Sequence, residues 1–379
     1  MTVDRPADDS SDDRRTDGGS DHQADATDDH RTDGGNVGAA ATDTEPLDGD
    51  TESAGRIRVR GTLVEPGTAG GWCPDIDTRM ATLETPLSSL LTSELDITPG
   101  TNALADADRI TLVPDAHYPY HPSSGVVTDP AVVGATVAIL ERRIDGEVVV
   151  AGRSDDTISF ERTAEYLGYE SLLERFDADP VDLASEGHTD TRVTVGDDTV
   201  STLVPSRLTR STVVTMPSLR PTETGRVAGG LRTLAAMLED GTDETDASAD
   251  SRALGAARAI DPALSVLDAT TVYAGEPYAA NTLFAGPAAA VDAVGTSLLE
   301  RSFEADDVVR RAFDDDRPSI TVTPVGVDPE SFDLESLRAA LPTGGLPPAD
   351  DTPAPVTAAY RLYAAVSGDV VPPQLEGGE

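Results

Sequence analysis

Two of the five histidines, His117 and His121, lie four residues apart beside Asp115, in a stretch that also holds Tyr118 and Tyr120. Imidazole nitrogens next to a carboxylate suit a divalent metal, so Asp115, His117 and His121 are candidate metal ligands. Either histidine is also a candidate general base. The competing reading is an aromatic, proline-containing loop packed over a sheet edge, since two histidines separated by Tyr-Pro-Tyr match no known metal signature. A second cluster is Arg220, Arg226 and Arg232 around Gly229 and Gly230. Arginine forks grip phosphate or carboxylate bidentately, and glycines at a helix start let backbone N–H groups approach an anion. These five residues are candidate anion-binding residues. The alternative is ion pairing with the aspartates around them. The lysine and spacing of a Walker loop are missing.

Two weaker candidates remain. Ser154 and Asp155, in the segment Gly152–Thr157, belong either to a site or to a turn and helix cap. Cys73, between Trp72 and Pro74, is either a nucleophile or a small buried hydrophobe. As the single cysteine, it excludes an intramolecular disulfide and any iron–sulfur cluster or multi-cysteine zinc site from this chain alone.

These residues need elements to position them. Residues 109–113 read as a buried strand and 147–151 as the next. Between them, Asp129 before Pro130 is a helix start, and the helix runs over 131–143. Strand, helix and strand of this length predict a parallel pair. In open parallel sheets ligands sit beyond the carboxyl ends of strands, where the loops starting at Asp115, Gly152 and Met216 fall. Residues 57–63 read as a strand. Helical leucine spacing covers 80–95, with Pro86 expected to delay the start. Residues 160–176 form a helix interrupted near Gly168. Residues 191–195 and 199–204 flank Gly196 as a hairpin. Further strands are expected at 211–215, 264–267, 282–285 and 320–325. Further helices are expected at 226–238, 252–260, 288–299, 306–313 and 334–341. The predicted fold class is α/β, a layered and mostly parallel central sheet with flanking helices, plus the hairpin.

Around this core, residues 1–55 are almost devoid of large apolar side chains, and Arg15–Gly19 repeats as Arg31–Gly35. Such a segment cannot offset its ordering entropy by burial and is expected to be a disordered acidic tail. The core is assigned to 56–325 and a C-terminal extension to 326–379. The extension holds a proline-rich acidic linker and an amphipathic segment, 356–367, with Val356, Ala359, Tyr360, Tyr363 and Val366 on one face. That face is expected to dock on its own core in preference to a dimer contact, with an oligomer through this helix as the alternative.

The chain of 379 residues carries a net charge of −41, and all 28 of its basic residues are arginine. At ordinary salt this charge opposes compaction. In molar salt the Debye length falls to roughly 3 Å and the repulsion is mostly screened. The composition predicts a halophilic protein from an acidic proteome. A surface this negative disfavours nucleic acid and anionic lipid. No apolar run approaches a membrane span and no export signal is evident, so a cytoplasmic location is expected.

Several short strings occur in a set order: Thr128-Asp129-Pro130 opening a helix, Gly152 with Ser154, Glu165 to Tyr169, and Met216-Pro217-Ser218-Leu219-Arg220. Gly229-Gly230-Leu231-Arg232, Leu267-Asp268, and Ala285-Gly286-Pro287 leading to Ala290–Val294 complete the order. This order resembles the uncharacterised family known as domain of unknown function 362. The resemblance spans roughly 109–313 in a salt-adapted form of the halophilic archaeal type. It marks Asp268, at a strand end, as a candidate catalytic residue, and Asp292 as a buried helix carboxylate. The chain departs from the family at Val113-Pro114-Asp115, where members usually carry lysine, proline and asparagine. It also departs around Ser218, Arg220 and Thr222, where lysines and a histidine are usual. The ferredoxin-like cysteines of some members are absent. Neither the residues nor the family specifies a reaction. The leading expectation is a protein that binds a small anionic ligand, with or without a divalent metal. The first alternative is a degenerate, non-catalytic binding or scaffold protein. The second is a redox accessory to an iron–sulfur partner.

Overall fold

The structure is a computed structural model that describes residues 56–66, 76–95, 104–117, 119–156, 158–196, 198–222, 224, 226–240 and 248–346. The acidic N-terminal segment, Cys73, Tyr118, Thr157 and the 356–367 segment lie outside these described residues.

The first half of the chain runs β1 (Arg56–Leu63), α1 (Ile76–Leu95), β2 (Arg109–Pro114), α2 (Pro130–Arg143), β3 (Glu147–Gly152), α3 (Phe160–Leu167), α4 (Tyr169–Leu173) and β4 (Ala178–Asp182). The second half begins β5 (His188–Val195), β6 (Asp198–Pro205), β7 (Thr212–Met216), α5 (Gly230–Ala236), β8 (Glu239–Asp240) and α6 (Ala249–Ile260). It continues β9 (Leu264–Tyr273), β10 (Pro277–Gly286), α7 (Ala288–Leu298), α8 (Asp307–Ala312), β11 (Ser319–Pro324) and α9 (Leu334–Ala340).

The main sheet has eight strands in the order β11, β1, β10, β9, β7, β2, β3, β4. It is mixed and mostly parallel: β10 runs antiparallel to both β1 and β9, and every other pairing is parallel. The predicted hairpin is β5–β6, with the two-residue β8 added to it.

Alternation along the strands sorts side chains to two faces. Ile110 and Leu112 of β2 join Val148, Val150 and Val214 in a core with α1 to α4. Val113, Ala151 and Val213 point the other way, into a core with Leu234 and Ala256 of α5 and α6. Helices therefore cover both faces, as parallel strands require.

Helix ends follow local chemistry. Asp129 caps α2, its carboxylate accepting the Ala131 N–H, and Pro130 opens the first turn. Gly168, at φ +75°, ends α3 and turns the chain into α4, so the expected interruption is a left-handed cap. Two expectations need correction. Helix α1 starts at Ile76 and runs through Pro86. Complete burial of Leu83, Leu87, Leu90 and Leu91 offsets the roughly 3 kcal/mol that an interior proline costs. Helix α5 starts at Gly230, later than Arg226. Thr222 N–H donates to the Arg226 carbonyl and Ala228 N–H to the Arg220 carbonyl, which holds 226–228 in a turn. Among the described residues, no helix is long and apolar enough to cross a membrane.

Candidate functional site

The strand order contains one reversal among parallel neighbours. From β2 the chain builds outward through β3 and β4, then returns to place β7 and β9 on the other side of β2. Such a switch point opens a crevice beyond the carboxyl ends of the two central strands, because their following helices leave on opposite faces. Here those strands are β2 and β7, and the residues just beyond them are Asp115 and Ser218.

The two loops are sewn together at that point. Asp115 N–H donates to the Met216 carbonyl at 3.2 Å and to Thr128 Oγ1 at 2.9 Å, while the Thr128 hydroxyl donates to the Met216 carbonyl. The Asp115 carboxylate, only 1% exposed, is the hub. Its Oδ1 accepts from Thr233 Oγ1 at 2.6 Å and lies 3.2 Å from His117 Nε2. Its Oδ2 accepts from Ser218 N–H at 3.1 Å, lies 3.2 Å from Ser218 Oγ and lies 3.7 Å from Arg220 Nη2. Burial alone would lift the pKa of this carboxyl. The Arg220 charge, the His117 contact and the Thr233 bond outweigh it and hold the group down at about 2. Asp115 is therefore an anion at neutral pH, overlaid by His117 and Arg220, whose side chains are 33% and 13% exposed. The buried Arg220 Nε lacks a hydrogen-bond partner among the described residues.

Beneath this layer lies a second carboxyl. Ser218 bridges to Asp268 in the sheet. The Asp268 side chain accepts from Asp129 N–H at 2.8 Å and from Thr270 N–H and Oγ1 at 2.9 and 2.7 Å. Burial pushes its pKa up to about 6, against the Thr270 bonds and the charge of Arg79. Arg79 reaches in from α1 to pair with Asp129. Among the described residues, the buried hydroxyl of Tyr169 has no hydrogen-bond partner. Burial and the charges of Asp268 and Asp115 raise its pKa.

The predicted anion cluster is divided by the fold. Arg220 faces Asp115, but Arg232 forks onto Asp306 at 2.7 and 3.0 Å and Arg226 pairs with Asp250. Both arginines make the ion pairs that the alternative reading describes. The glycine-opened helix start is likewise filled from within. Gly230 and Leu231 N–H groups donate to the two oxygens of Asp292 at 2.8 and 3.0 Å. A β-carbon on Gly229 would fall 2.2 Å from the Asp292 carboxyl carbon. Burial raises the Asp292 pKa to about 7 despite these two bonds.

The remaining candidates take simpler roles. His121 caps a short 3-10 turn at Pro122–Ser124, with Nδ1 2.7 Å from Ser123 Oγ. Among the described residues, no group of three or more His, Cys, Asp or Glu side chains is placed to hold a metal ion. Of the Asp115, His117 and His121 set, Asp115 and His117 are in contact. Ser154 turns back onto Asp182, with Oγ to Oδ2 at 2.5 Å and N–H to Oδ1 at 2.9 Å, and caps the Phe160 N–H. This is turn chemistry. Ser218 was visible only as a letter in one of the short strings, Thr233 was not singled out, and Arg79 carried no signal at all, since helical leucine spacing says nothing of a partner 50 residues away.

A search of curated proteins finds no match to this chain. Residues 110–297, from β2 to the end of α7, match the family model described as Domain of unknown function (DUF362). They contain the switch point, Asp115, His117, Ser218, Arg220, Asp268 and Asp292, and it is through this segment that the chain is similar to the DUF362 family.

Proposed function

We propose that the protein binds a small oxyanion-bearing ligand, a carboxylate or a phosphate, against the loops beyond β2 and β7. Arg220 is its anchor and His117 the group that exchanges a proton with it. The observation that carries this reading is the meeting of Asp115, His117 and Arg220 at the strand-order reversal. An ionised, buried Asp115 favours the imidazole tautomer with its proton on Nε2, which leaves Nδ1 as the basic nitrogen. The exposed part of the guanidinium offers donors with the fork geometry that oxyanions take.

A second reading has its own support. Asp115 lies close enough to neutralise Arg220, and Ser218 and Thr233, which donate to its carboxylate, are buried within the fold. Those contacts fit a degenerate scaffold that takes no ligand.

Calorimetric titration in molar KCl with inorganic phosphate and with malonate separates the two. Binding that disappears in Arg220→Ala, weakens in Arg220→Lys and persists in Arg226→Ala supports the ligand site. The scaffold reading is favoured by absence of binding in the wild type. Equal loss in Arg220→Ala and Arg226→Ala would move the anion to the α5–α6 surface and overturn the assignment.

A further inference from the structure

The edge strand β11, with α7 and α9, encloses a groove of about 800 Å³. Its floor is apolar: Val294 and Leu298 of α7, Ile320 and Val322 of β11, and Leu334 of α9. The α7 residues are buried, but Ile320, Val322 and Leu334 are only half-buried, so part of this floor is open. The rim is close to neutral, because Arg301, Arg317 and Arg338 share it with Glu300, Glu304 and Glu335.

The chain leaves the described structure beside this groove. Arg301, one of the lining residues, donates to the carbonyl of Gly344 at 2.7 Å. The last described residue is Leu346, and 33 residues follow it, 347–379. Within them, 352–368 carries a single charged residue, Arg361, in a chain that is 26% charged overall. One face of its amphipathic part presents Val356, Ala359, Tyr360, Tyr363 and Val366. The ten residues from Leu346 to Val356 reach about 33 Å when extended, enough to fold back onto the groove.

The geometry points to this groove as the docking site of the chain's own segment 356–367, with Tyr360 and Tyr363 over Ile320, Val322 and Leu334. A neutral rim and an apolar floor fit a segment that is nearly free of charge. A helix of about twelve residues is marginal alone in water, so the segment gains order only by burying that face. The tether at Gly344 makes the contact intramolecular, which favours it over a second copy.

Hydrogen exchange followed by mass spectrometry on the full chain tests this, with the double variant Tyr360→Asp/Tyr363→Asp as comparison and light scattering for mass. The variant positions lie outside the described core, so its folding is not at stake. In a monomeric wild type, amides of 356–367 should exchange at least about tenfold more slowly than free coil, and the variant should lose that protection. Peptides covering 291–299 and 319–324 should exchange faster in the variant. Coil-like exchange of the segment in the wild type overturns the docking. So does protection that appears only with a dimer mass, which assigns the face to a second copy. Protection without any change in the 291–299 and 319–324 peptides places the segment elsewhere and also overturns it.

Discussion

At the scale of single residues, the molecule buries two kinds of carboxyl, and their pH signatures have opposite sign. Asp115 titrates at about 2 in the fold against 3.8 unperturbed. Its contribution to stability is present above the unperturbed value and is lost as pH falls from 3.8 toward 2. Asp292 titrates at about 7 against the same 3.8. The fold retains its proton where the unfolded chain has released it, so that contribution is complete below 3.8 and is lost as pH rises through 7. Denaturant unfolding measured across pH should therefore show a shallower acid limb in Asp115→Asn. Asp292→Asn should instead show a shallower decline between pH 4 and 7. Both substitutions should also lower stability at neutral pH by about 1–3 kcal/mol, because an amide group then meets donors that need an acceptor. An unchanged slope in either variant would remove that carboxyl from the linkage. The decisive contacts at this scale join positions about 100 residues apart, such as Ser218 with Asp115, and no local pattern announces them.

At the scale of elements, caps and glycines tie the chain to the site. The Asp129 cap orders α2 and lends its own N–H to Asp268. Gly229 lets Asp292 close over the start of α5, and α5 carries Thr233 to Asp115. A methyl group at Gly229 must displace that carboxyl. Gly229→Ala should cost about 1–3 kcal/mol in chemical denaturation. It should also weaken any ligand binding at Arg220 through the shifted Thr233, whereas Gly168→Ala should lower stability alone. Elements with strong periodicity or a cap were readable before the fold was known: α2, the α3–α4 break and the β5–β6 hairpin. Strand β4 was not, because Pro180 sits inside it; the sheet tolerates that proline because β4 is an edge strand. Strands β9 and β10 are each ten residues long and antiparallel to one another, whereas only their most apolar segments could be read.

At the scale of the whole molecule, a net charge of −41 sets the solution behaviour. Raising salt from about 0.1 M to 1 M shortens the Debye length from roughly 10 to 3 Å. The thermal midpoint should rise across that range if repulsion between carboxylates limits stability. A midpoint that falls would separate the composition from any salt adaptation. The sequence by itself determined the layered α/β class, the parallel β2–α2–β3 unit, the hairpin and the loops beyond the strands, because periodicity, caps and turns act over a few neighbouring residues. Only the tertiary structure decided which candidates meet. Strand order placed Asp115 beside Ser218 and Arg220, and packing handed Arg226 and Arg232 to Asp250 and Asp306. The physical reason is that an arginine's partner is whichever carboxylate the fold brings within a few ångströms, and in a chain with 69 acidic residues local sequence leaves that choice open.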